Sequence, residues 1–371
     1  MHRKLYQKSR FLYRHMSLEF TSSYRPKVID YSQHTMAAPN LLKYLELKVH
    51  QDIMHDNWDM ITVTGKYNRT SCVFEGEKKD KPFNWQRPTT SFCGRELIVE
   101  CFPGNDYVTH YALIIATYLR MRGRLASPGQ VQFVLPSENE CDSSLQGINA
   151  SFDKDALVIL GWTSVHRKAT KENLAWSYLQ EGCRYIRANI AGKQVVYMGF
   201  EHSIWGDTAG RVVARLATLG AKRILYIGKL GGLIPGLPPN QHLAIGTQSL
   251  MPTGETVTWN DGISTLAREI FPQITIPGIH ITSPSILFEN KAWLKRLKQR
   301  IHFVDPEIGH MGAAAVNNNV EFGYLHIISN NLTTHEYDDL SNERKDNVRI
   351  QRLQLEQYID DIIREYVSNI I

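Results

Sequence analysis

The chain has 371 residues, a formal net charge of +5, and a composition that is 43% hydrophobic and 21% charged. This composition is that of an ordinary globular protein, and the length fits two domains better than one. No run approaches the roughly 18 apolar residues of a membrane span, so we predict no transmembrane helix. The five cysteines form no Cys-x-x-Cys pair and no zinc-type spacing with histidine. We therefore expect free thiols, a reducing and cytoplasmic location, no metal and no cofactor.

Positive charge is concentrated at the start of the chain. Residues 1–38 contain only two acids, Glu19 and Asp30, against Arg3, Lys4, Lys8, Arg10, Arg14, Arg25 and Lys27. Such a basic leader is typical of a targeting peptide or an anion-binding arm, or of a frayed or surface-packed segment. No apolar region of a secretory signal follows it. It matches no known nucleic-acid-binding motif, so nucleic-acid binding is the least favoured interpretation.

Residues 39–150 are predicted to form an N-terminal α/β domain of unknown role. Apolar spacing predicts a helix over 41–54, and a strand is expected over 58–63. The charged, turn-rich stretch 75–88 is predicted to be a surface loop. A strand over 97–102, a helix over 107–122 capped by Asn105 or Asp106, and a strand over 131–135 would form a parallel strand–helix–strand unit. The polar stretch 136–151 is predicted to be the domain boundary.

Residues 151–371 are predicted to form a second α/β domain. Strands are expected over 156–161, 194–198, 223–227, 243–245 and 325–329. Helices are expected over about 170–182, from Gly206 to a C′ glycine at Gly220, and at the C-terminus. The last helix would bury one face, made of Ile359, Ile362, Ile363, Tyr366 and Val367. The segment 228–232 is predicted to be a glycine turn.

Two stretches stand out as a candidate site. Residues 304–315 are predicted to form a short strand, a glutamate (Glu307) at its end and a helix of small residues. Residues 327–336 are predicted to form an apolar strand that ends in a polar cluster containing Asn330. Both side chains would leave neighbouring strands at one edge of the sheet. That edge is where open α/β sheets bind ligands.

Four motifs, in order over about 215 residues, resemble the nucleoside phosphorylase superfamily. The first is Leu219–Gly228 with Gly231 and Gly232, a strand followed by a glycine turn. The second is Thr282–Phe288, which is similar to the segment that supplies an aromatic residue to the base pocket. The third is Val304–Glu307, and the fourth runs from Ser329-Asn330 through Thr334-His335-Glu336 to Glu343-Arg344. The superfamily includes hexameric-type purine nucleoside phosphorylases, uridine phosphorylases, methylthioadenosine nucleosidases and AMP nucleosidases.

The resemblance implies a phosphorylase-like mixed sheet, partly closed into a barrel with flanking helices. It also implies cleavage of an N-glycosidic bond. In that reaction the base leaves as the ribose gains oxocarbenium character, and phosphate or water attacks the anomeric carbon. A carboxylate should hold the ribose hydroxyls, a donor should stabilise the leaving base, and a nucleophile should be held below C1′.

The resemblance places three catalytic candidates. Glu307 matches the ribose-binding glutamate, and an ionised carboxylate suits a vicinal diol. A solvated acid at a helix start is its alternative role.

Asn330 stands where purine-specific relatives have the aspartic acid that protonates or hydrogen-bonds N7 of the base. An amide can donate a hydrogen bond but cannot act as a general acid. It could equally be a turn asparagine. Arg344 matches the arginine that supports that acid, with a surface salt bridge as the alternative.

Phosphate binding shows the largest departure from the family. Tyr226 occupies the position of the phosphate-binding arginine. Lys229, Arg167 and Arg187 could rebuild an anion site, or phosphate is no longer a substrate. We therefore favour hydrolysis, or a nonstandard phosphorylated substrate, over ordinary phosphorolysis.

Four further residues are candidates for contact with the substrate. His202 lies in the loop that approaches the ribose and base in the family, although a lone loop histidine is more often a surface residue. Leu287 and Phe288 would line a face of the base, with core packing as the alternative. Pro306 precedes Glu307 in its motif and completes the set.

Two hypotheses follow for the whole chain. The first is an enzyme that cleaves or forms the N-glycosidic bond of a purine-type nucleoside or nucleotide, most simply a nucleosidase. The second is a nucleotide- or metabolite-binding module that has kept the fold without turnover. Under either hypothesis the chain would bind a small-molecule nucleoside or nucleotide, and phosphate if the anion site is rebuilt. It would also bind other copies of itself, because members of the resembled family are homo-oligomers.

Overall fold

The computed structural model describes residues 22–79, 83–161, 176–179, 182–297, 300–334, 336, 339–342 and 345–369. Within these residues the chain is mixed α/β, as predicted. No helix in these ranges is both long enough and apolar enough to cross a membrane. All five cysteines lie in the described part of the chain and are free thiols.

A four-stranded sheet occupies the N-terminal region. Its order is β2-β3-β1-β4, in which β1 runs parallel to both of its neighbours and β2 runs antiparallel to β3. The strands are β1 (Met60–Thr64), β2 (Thr89–Cys93), β3 (Glu96–Glu100) and β4 (Val131–Phe133). The helices are α1 (Ala38–Glu46), α2 (Gln51–His55), α3 (Asn105–Met121) and α4 (Glu138–Ser143). The unit β3–α3–β4 is the predicted parallel crossover, with β1 inserted between its two strands.

In the stretch predicted as a surface loop, 75–88, six of the described residues are buried instead, while Glu75, Gly76, Lys79 and Asn84 are exposed. Phe83 and Arg87 are 7% and 6% exposed. Backbone hydrogen bonds from Asn84 and Trp85 to the carbonyls of residues 200 and 201 attach this segment to the end of a strand of the second sheet. Gly199 makes the approach possible, because a Cβ there would lie 2.4 Å from the Phe83 ring. Lys78 and Arg87 of this stretch line an internal cavity.

The second sheet has twelve strands. Its main path runs β12-β11-β14-β15-β9-β5-β8-β7-β6, and β16 joins it at β9 and carries β10 and β13. The strands are β5 (Leu157–Gly161), β6 (Ser177–Tyr178), β7 (Cys183–Ile190), β8 (Lys193–Phe200), β9 (Arg223–Gly232), β10 (Leu243–Ile245), β11 (Gln248–Leu250), β12 (Thr256–Thr258), β13 (Thr275–Pro277), β14 (His280–Thr282), β15 (Phe303–Asp305) and β16 (Glu321–Asn331). Among the described strands the pairing does not return to its start, so no closed barrel forms.

The helices that flank this sheet are α5 (Asp207–Thr218), α6 (Ile263–Ile270), α7 (Lys291–Arg296), α8 (Ile308–Asn317) and α9 (Asp346–Asn369). Three of the predicted elements near the site are confirmed: β15, α8 and β16. In α9, Ile359, Ile362, Ile363 and Val367 are buried as predicted. The Tyr366 hydroxyl donates to Glu321 at 2.6 Å from the rim of that face.

Two predictions for this region are wrong. The helix expected over about 170–182 is contradicted where the chain is described, since Ser177–Tyr178 is a strand that pairs with β7. The glycine turn expected at 228–232 is the second half of β9. That segment remains a strand because it pairs with β16 as far as Gly232 and also receives β15 from the other side. Glycine is needed here because neighbouring side chains approach the strand closely. A Cβ on Gly231 would lie 2.7 Å from a Leu332 methyl group.

The two sheets are joined where the N-termini of α3 and α5 meet. The Asp207 carboxylate accepts hydrogen bonds from the backbone N–H groups of Asn105 and Asp106 at 3.2 and 3.0 Å. In return, Asp106 accepts the N–H of Asp207 at 3.1 Å. Each helix is thus capped by the other, and the expected cap of α3 by Asn105 or Asp106 is wrong. Gly206 has φ +60°, and a Cβ there would lie 2.4 Å from the Asp106 Cβ.

One hydrophobic core continues through both regions. It contains residues of α3, such as Tyr111 and Ile114, together with residues of β5, α5 and α8. The proposed division into a basic leader (1–38), an N-terminal domain (39–150) and a C-terminal domain (151–371) therefore stays a prediction.

Candidate active site

A cavity of about 650 Å³ lies between the two regions. Its floor is formed by the ends of β8, β9, β15 and β16, and its walls by Lys78, Phe83, Asn84 and Arg87 together with the first turns of α9. Its volume is in the range typical of small-molecule sites. Five of the residues predicted from the sequence line it: His202, Lys229, Pro306, Glu307 and Asn330.

Glu307 and Asn330 share this cavity but do not leave neighbouring strands as expected. Strand β9 lies between β15 and β16, paired with each of them. Its residue Tyr226 also lines the cavity.

Five other predicted residues are not shown at the cavity. Leu287 is 1% exposed and packs in the hydrophobic core, while Phe288 is half-buried outside the cavity lining. The 3₁₀ turn Ile286–Phe288 presents Ile286 instead. Arg187 is exposed on β7, where its guanidinium donates to the Tyr185 hydroxyl and the Ser151 carbonyl. The expectation that these three contact a ligand in this cavity is therefore not met. Arg167 and Arg344 lie outside the described residues, as does His335 of the fourth motif.

Asp305 organises the floor of the cavity. Its Oδ1 accepts the N–H groups of Glu307 and Ile308, both at 2.9 Å, which caps α8. The His280 Nε2 lies 2.9 Å from the same oxygen, and the His326 Nε2 lies 3.8 Å from the other. Burial alone would raise the pKa of Asp305, but the attraction of His280 and His326 and these hydrogen bonds hold it below its usual range. Asp305 is therefore ionised at neutral pH.

Glu307 has the opposite electrostatic environment. Burial raises its pKa well above the usual value, and the negative charges of Asp305 and Asp106 raise it further. The protonated form of this carboxyl is therefore favoured more than that of a solvent-exposed glutamate. A ligand that donates hydroxyl hydrogen bonds to this carboxyl would favour its ionised form, because such bonds stabilise the charge.

Asn330 is 7% exposed and lies at an irregularity of the sheet. The register between β16 and β9 shifts between Ile328 and Asn330, as at a β-bulge, and bulges re-aim side chains beside binding sites. Its Oδ1 accepts a hydrogen bond from the Ser329 hydroxyl at 3.0 Å. Its amide nitrogen has no partner among the described residues, so it is available to donate to a ligand.

Asn331, the next residue, has a structural role. Its side-chain nitrogen donates to the carbonyls of Ile234 and Leu237, both at 2.8 Å. Its Oδ1 accepts hydrogen bonds from Thr333. All of its hydrogen-bonding atoms are therefore occupied.

His202 is a buried aromatic wall residue and not a surface histidine. It is 4% exposed, and its ring stacks on Phe102 with centroids 3.5 Å apart. Burial lowers its pKa to about 3, so the ring is neutral. Its Nε2 has no hydrogen-bond partner among the described residues. Trp205, which also lines the cavity, donates its N–H to the Pro284 carbonyl and stacks on His110.

The sequence reasoning missed a set of cations on the walls. They come from three separate parts of the chain and are Lys48, Lys78, Arg87, Arg349 and Arg352. The density of charge in the stretch 75–88 is typical of a solvent-exposed loop. The informative signal is the apolar Phe83 within it, because its ring packs over Gly199 of the second sheet.

One cluster outside the cavity has metal-ligand chemistry. Donor atoms of His50, Asp52 and Cys72 lie within 4.8 Å of one another. The group is already hydrogen-bonded internally: His50 Nδ1 accepts the Asp52 N–H at 3.3 Å, its Nε2 faces the Cys72 carbonyl, and Thr90 donates to Asp52. These bonds account for the arrangement without an ion.

Comparisons with known proteins give one curated relative and a group of solved structures. No model of a protein family matches the chain. The chain is 26% identical over 258 residues to oxidoreductase cns1 of the organism Cordyceps militaris, a match that covers 63% of this chain and 32% of that protein. This chain thus spans about a third of the length of that relative.

The solved structures are nucleosidases and phosphorylases. A futalosine hydrolase mutant of Helicobacter pylori (strain 26695) has a TM-score of 0.46 and 13% identity, covering 57% of this chain and 99% of that one. A 5'-methylthioadenosine/S-adenosyl homocysteine nucleosidase of Campylobacter jejuni has a TM-score of 0.45 and 14% identity, covering 57% and 98%. A uridine phosphorylase of Vibrio fischeri has a TM-score of 0.45 and 10% identity, covering 57% and 91%.

Proposed function

We propose that the chain cleaves, or forms, the N-glycosidic bond of a purine-type nucleoside or nucleotide. The observation that carries the proposal is that Glu307 and Asn330, taken from two separate sequence motifs, line one cavity of about 650 Å³. The carboxyl group suits a ribose diol, and the amide nitrogen without a partner among the described residues suits an acceptor on a base. Neutral aromatic rings beside them, at His202 and Trp205, suit a base ring.

In the proposed reaction the bond between C1′ and the base nitrogen breaks, and its electron pair leaves with the base. Glu307 would hold the ribose hydroxyls, and these bonds favour the ionised carboxylate whose charge stabilises a developing oxocarbenium ion. Asn330 would donate its N–H to the departing base without transferring a proton. Water would add to C1′ and lose a proton, and the base would gain one. Hydrolysis is favoured over phosphorolysis because Tyr226 replaces the expected phosphate-binding arginine.

The test is release of free base from a panel of nucleosides and nucleotides, each incubated with and without phosphate. We expect release from at least one purine compound, and a loss of about 100-fold or more in kcat/KM for Glu307→Ala, as two charge-assisted hydrogen bonds are removed. Base release that requires phosphate would favour phosphorolysis. Release unaffected by Glu307→Ala would rule out the assigned role of this residue.

A binding module without turnover is the second candidate. Two observations favour it: the amide of Asn330 where relatives have an acid, and Tyr226 in place of the arginine. It predicts saturable binding that survives in Glu307→Gln, with no free base released anywhere in the panel. That combination of results would contradict the enzyme proposal.

The oligomeric state is a separate prediction. Because members of the resembled family are homo-oligomers, we propose the same here. Light scattering of the full chain at several concentrations would test it.

A further inference from the structure

Arg87 is a buried cation with an unusual set of partners. The side chain lines the cavity, and the residue is 6% exposed. Its guanidinium hydrogen bonds all leave from Nη1 and go to neutral oxygens: the Asn84 carbonyl at 3.0 Å, the Asn84 side chain at 3.3 Å and the Gln86 carbonyl at 2.8 Å. Its Nε and Nη2 have no hydrogen-bond partner among the described residues.

Such an arrangement is costly without an anion. A buried charge is normally paired, and an arginine presents its donors as a fork that fits two oxygens of one oxyanion. Here Nε and Nη2 remain able to donate hydrogen bonds to a ligand, while Nη1 is held by its hydrogen bonds to the protein. The guanidinium is therefore oriented in advance for an oxyanion in the cavity.

The backbone around Arg87 is held firmly in place. Its own N–H donates to Glu77 at 3.1 Å, and Glu77 is also paired with Arg69. The preceding residues are hydrogen-bonded to the end of β8. A rigid support of this kind limits the entropy that the side chain loses when it binds a ligand.

The charge balance of the cavity also favours an anion. Its described lining contains six cationic side chains and four carboxyl groups. The cations are Lys48, Lys78, Arg87, Lys229, Arg349 and Arg352, and the acids are Glu289, Asp305, Glu307 and Glu356. Burial raises the pKa of Glu289 to about 8, and the pKa of Glu307 is also raised, so neither offsets a cation at neutral pH. The net field inside the cavity is positive and attracts anions.

We propose that Arg87 binds a phosphate group of the cavity's ligand, so that the substrate is a nucleotide rather than a nucleoside. The inference rests on the proposed function for the nucleoside part of the ligand and adds the phosphate. It also gives the N-terminal region a role, since Arg87 and Lys78 precede the second sheet in the chain and are held against it. Phosphate is the anion that best uses an arginine fork with lysines around it.

The test compares binding of matched pairs by calorimetry on the full chain: adenosine with AMP, and guanosine with GMP. We expect the monophosphate to bind about tenfold or more tightly than its nucleoside, since hydrogen bonds to charged groups contribute that much. Inorganic phosphate should weaken binding of the monophosphate more than binding of the nucleoside. Equal affinities within both pairs, or a phosphate effect that is the same for both, would overturn the proposal.

Variants locate the effect. Arg87→Met should remove most of the preference for the monophosphate, measured as the ratio of the two affinities, while Arg87→Lys should retain part of it. The matched control is Arg95→Met, because Arg95 is exposed and pairs with Asp59 away from the cavity. Circular dichroism and thermal unfolding establish that each variant folds. A preference that persists in a folded Arg87→Met would contradict the assignment.

The results separate this proposal from the proposed function. Preferential binding of monophosphates without release of base would leave the phosphate site standing and contradict catalysis. Equally fast release of base from adenosine and AMP, with equal affinities, would leave catalysis standing and overturn the phosphate site.

Discussion

The two regions of the molecule contribute different side chains to one cavity. The twelve-stranded sheet supplies Asp305, Glu307 and Asn330 from strand ends that are already ordered by pairing. The N-terminal region supplies Lys78 and Arg87 from a segment without regular structure. We call Asp305, Glu307 and Asn330 the acidic end, which the proposed function assigns to a ribose and base. We call Lys78 and Arg87 the cationic wall, which the proposed phosphate site assigns to an anion.

This difference shows how a broader specificity can be added to an existing sheet. The strand-end residues need only local order, because a strand and the following helix fix their positions. The cationic wall needs a second region that packs against the first. The contact between α3 and α5, with its reciprocal aspartate caps, is one of the contacts that join the two regions.

The largest effect that we predict for this contact is on stability. Asp207→Ala should lower the free energy of unfolding by about 2 kcal/mol, because both N–H groups that it caps at the start of α3 become unpaired. Chemical denaturation of the full chain measures this. The control is Asp142→Ala, which removes an exposed ion pair with Arg211 and should cost well under about 1 kcal/mol. Equal losses in the two variants would show that the caps do not join the regions.

The sequence predicted the elements around the acidic end better than those around the cationic wall. The order of β15, Glu307, α8 and β16 follows from apolar runs and a helix start, which are local signals. The neighbourhood of Arg87 depends on Phe83 lying over Gly199, more than a hundred residues away in the chain. No local pattern reports such a contact, so a buried, charged segment was interpreted as a surface loop.

The arrangement of strands shows the same limit within the sheet. Periodicity located β9 and β16 but could not show that β9 lies between β15 and β16. It also could not show that the glycines of 228–232 serve close strand packing. Composition alone made that segment look like a turn.

A smaller effect separates two adjacent asparagines. Asn330→Ala should lower kcat/KM about tenfold without lowering stability, because it removes a hydrogen bond to the leaving base that the folded protein does not need. Asn331→Ala should do the reverse, costing about 1 kcal/mol of stability through lost bonds to the Ile234 and Leu237 carbonyls. Steady-state kinetics and thermal unfolding of both variants test this pair. A catalytic loss confined to Asn331→Ala would contradict the assignment of Asn330.

The smallest predicted effect is a displacement of the pH profile. If the reaction needs ionised Glu307, kcat/KM rises with pH through the raised pKa of this carboxyl. That pKa is raised by burial and then by the charges of Asp305 and Asp106, in decreasing order. Asp305→Asn removes one negative charge but keeps an oxygen that accepts the N–H groups at the start of α8. The pKa of Glu307 should fall, and the rising limb should move to lower pH.

Asp106→Asn should move the rising limb in the same direction by a smaller amount. Asp106 belongs to the N-terminal region, so this shift would measure how far that region's charge reaches the acidic end. Exposed Asp142→Asn should leave the profile in place. A limb that moves to higher pH in Asp305→Asn would contradict the assignment of this limb to Glu307, whereas a profile that falls with pH in the unmodified chain would mean that Glu307 acts as an acid. In that case the carboxyl would donate its proton to the ligand, and the N-terminal region would assist catalysis by keeping Glu307 protonated as well as by binding an anion.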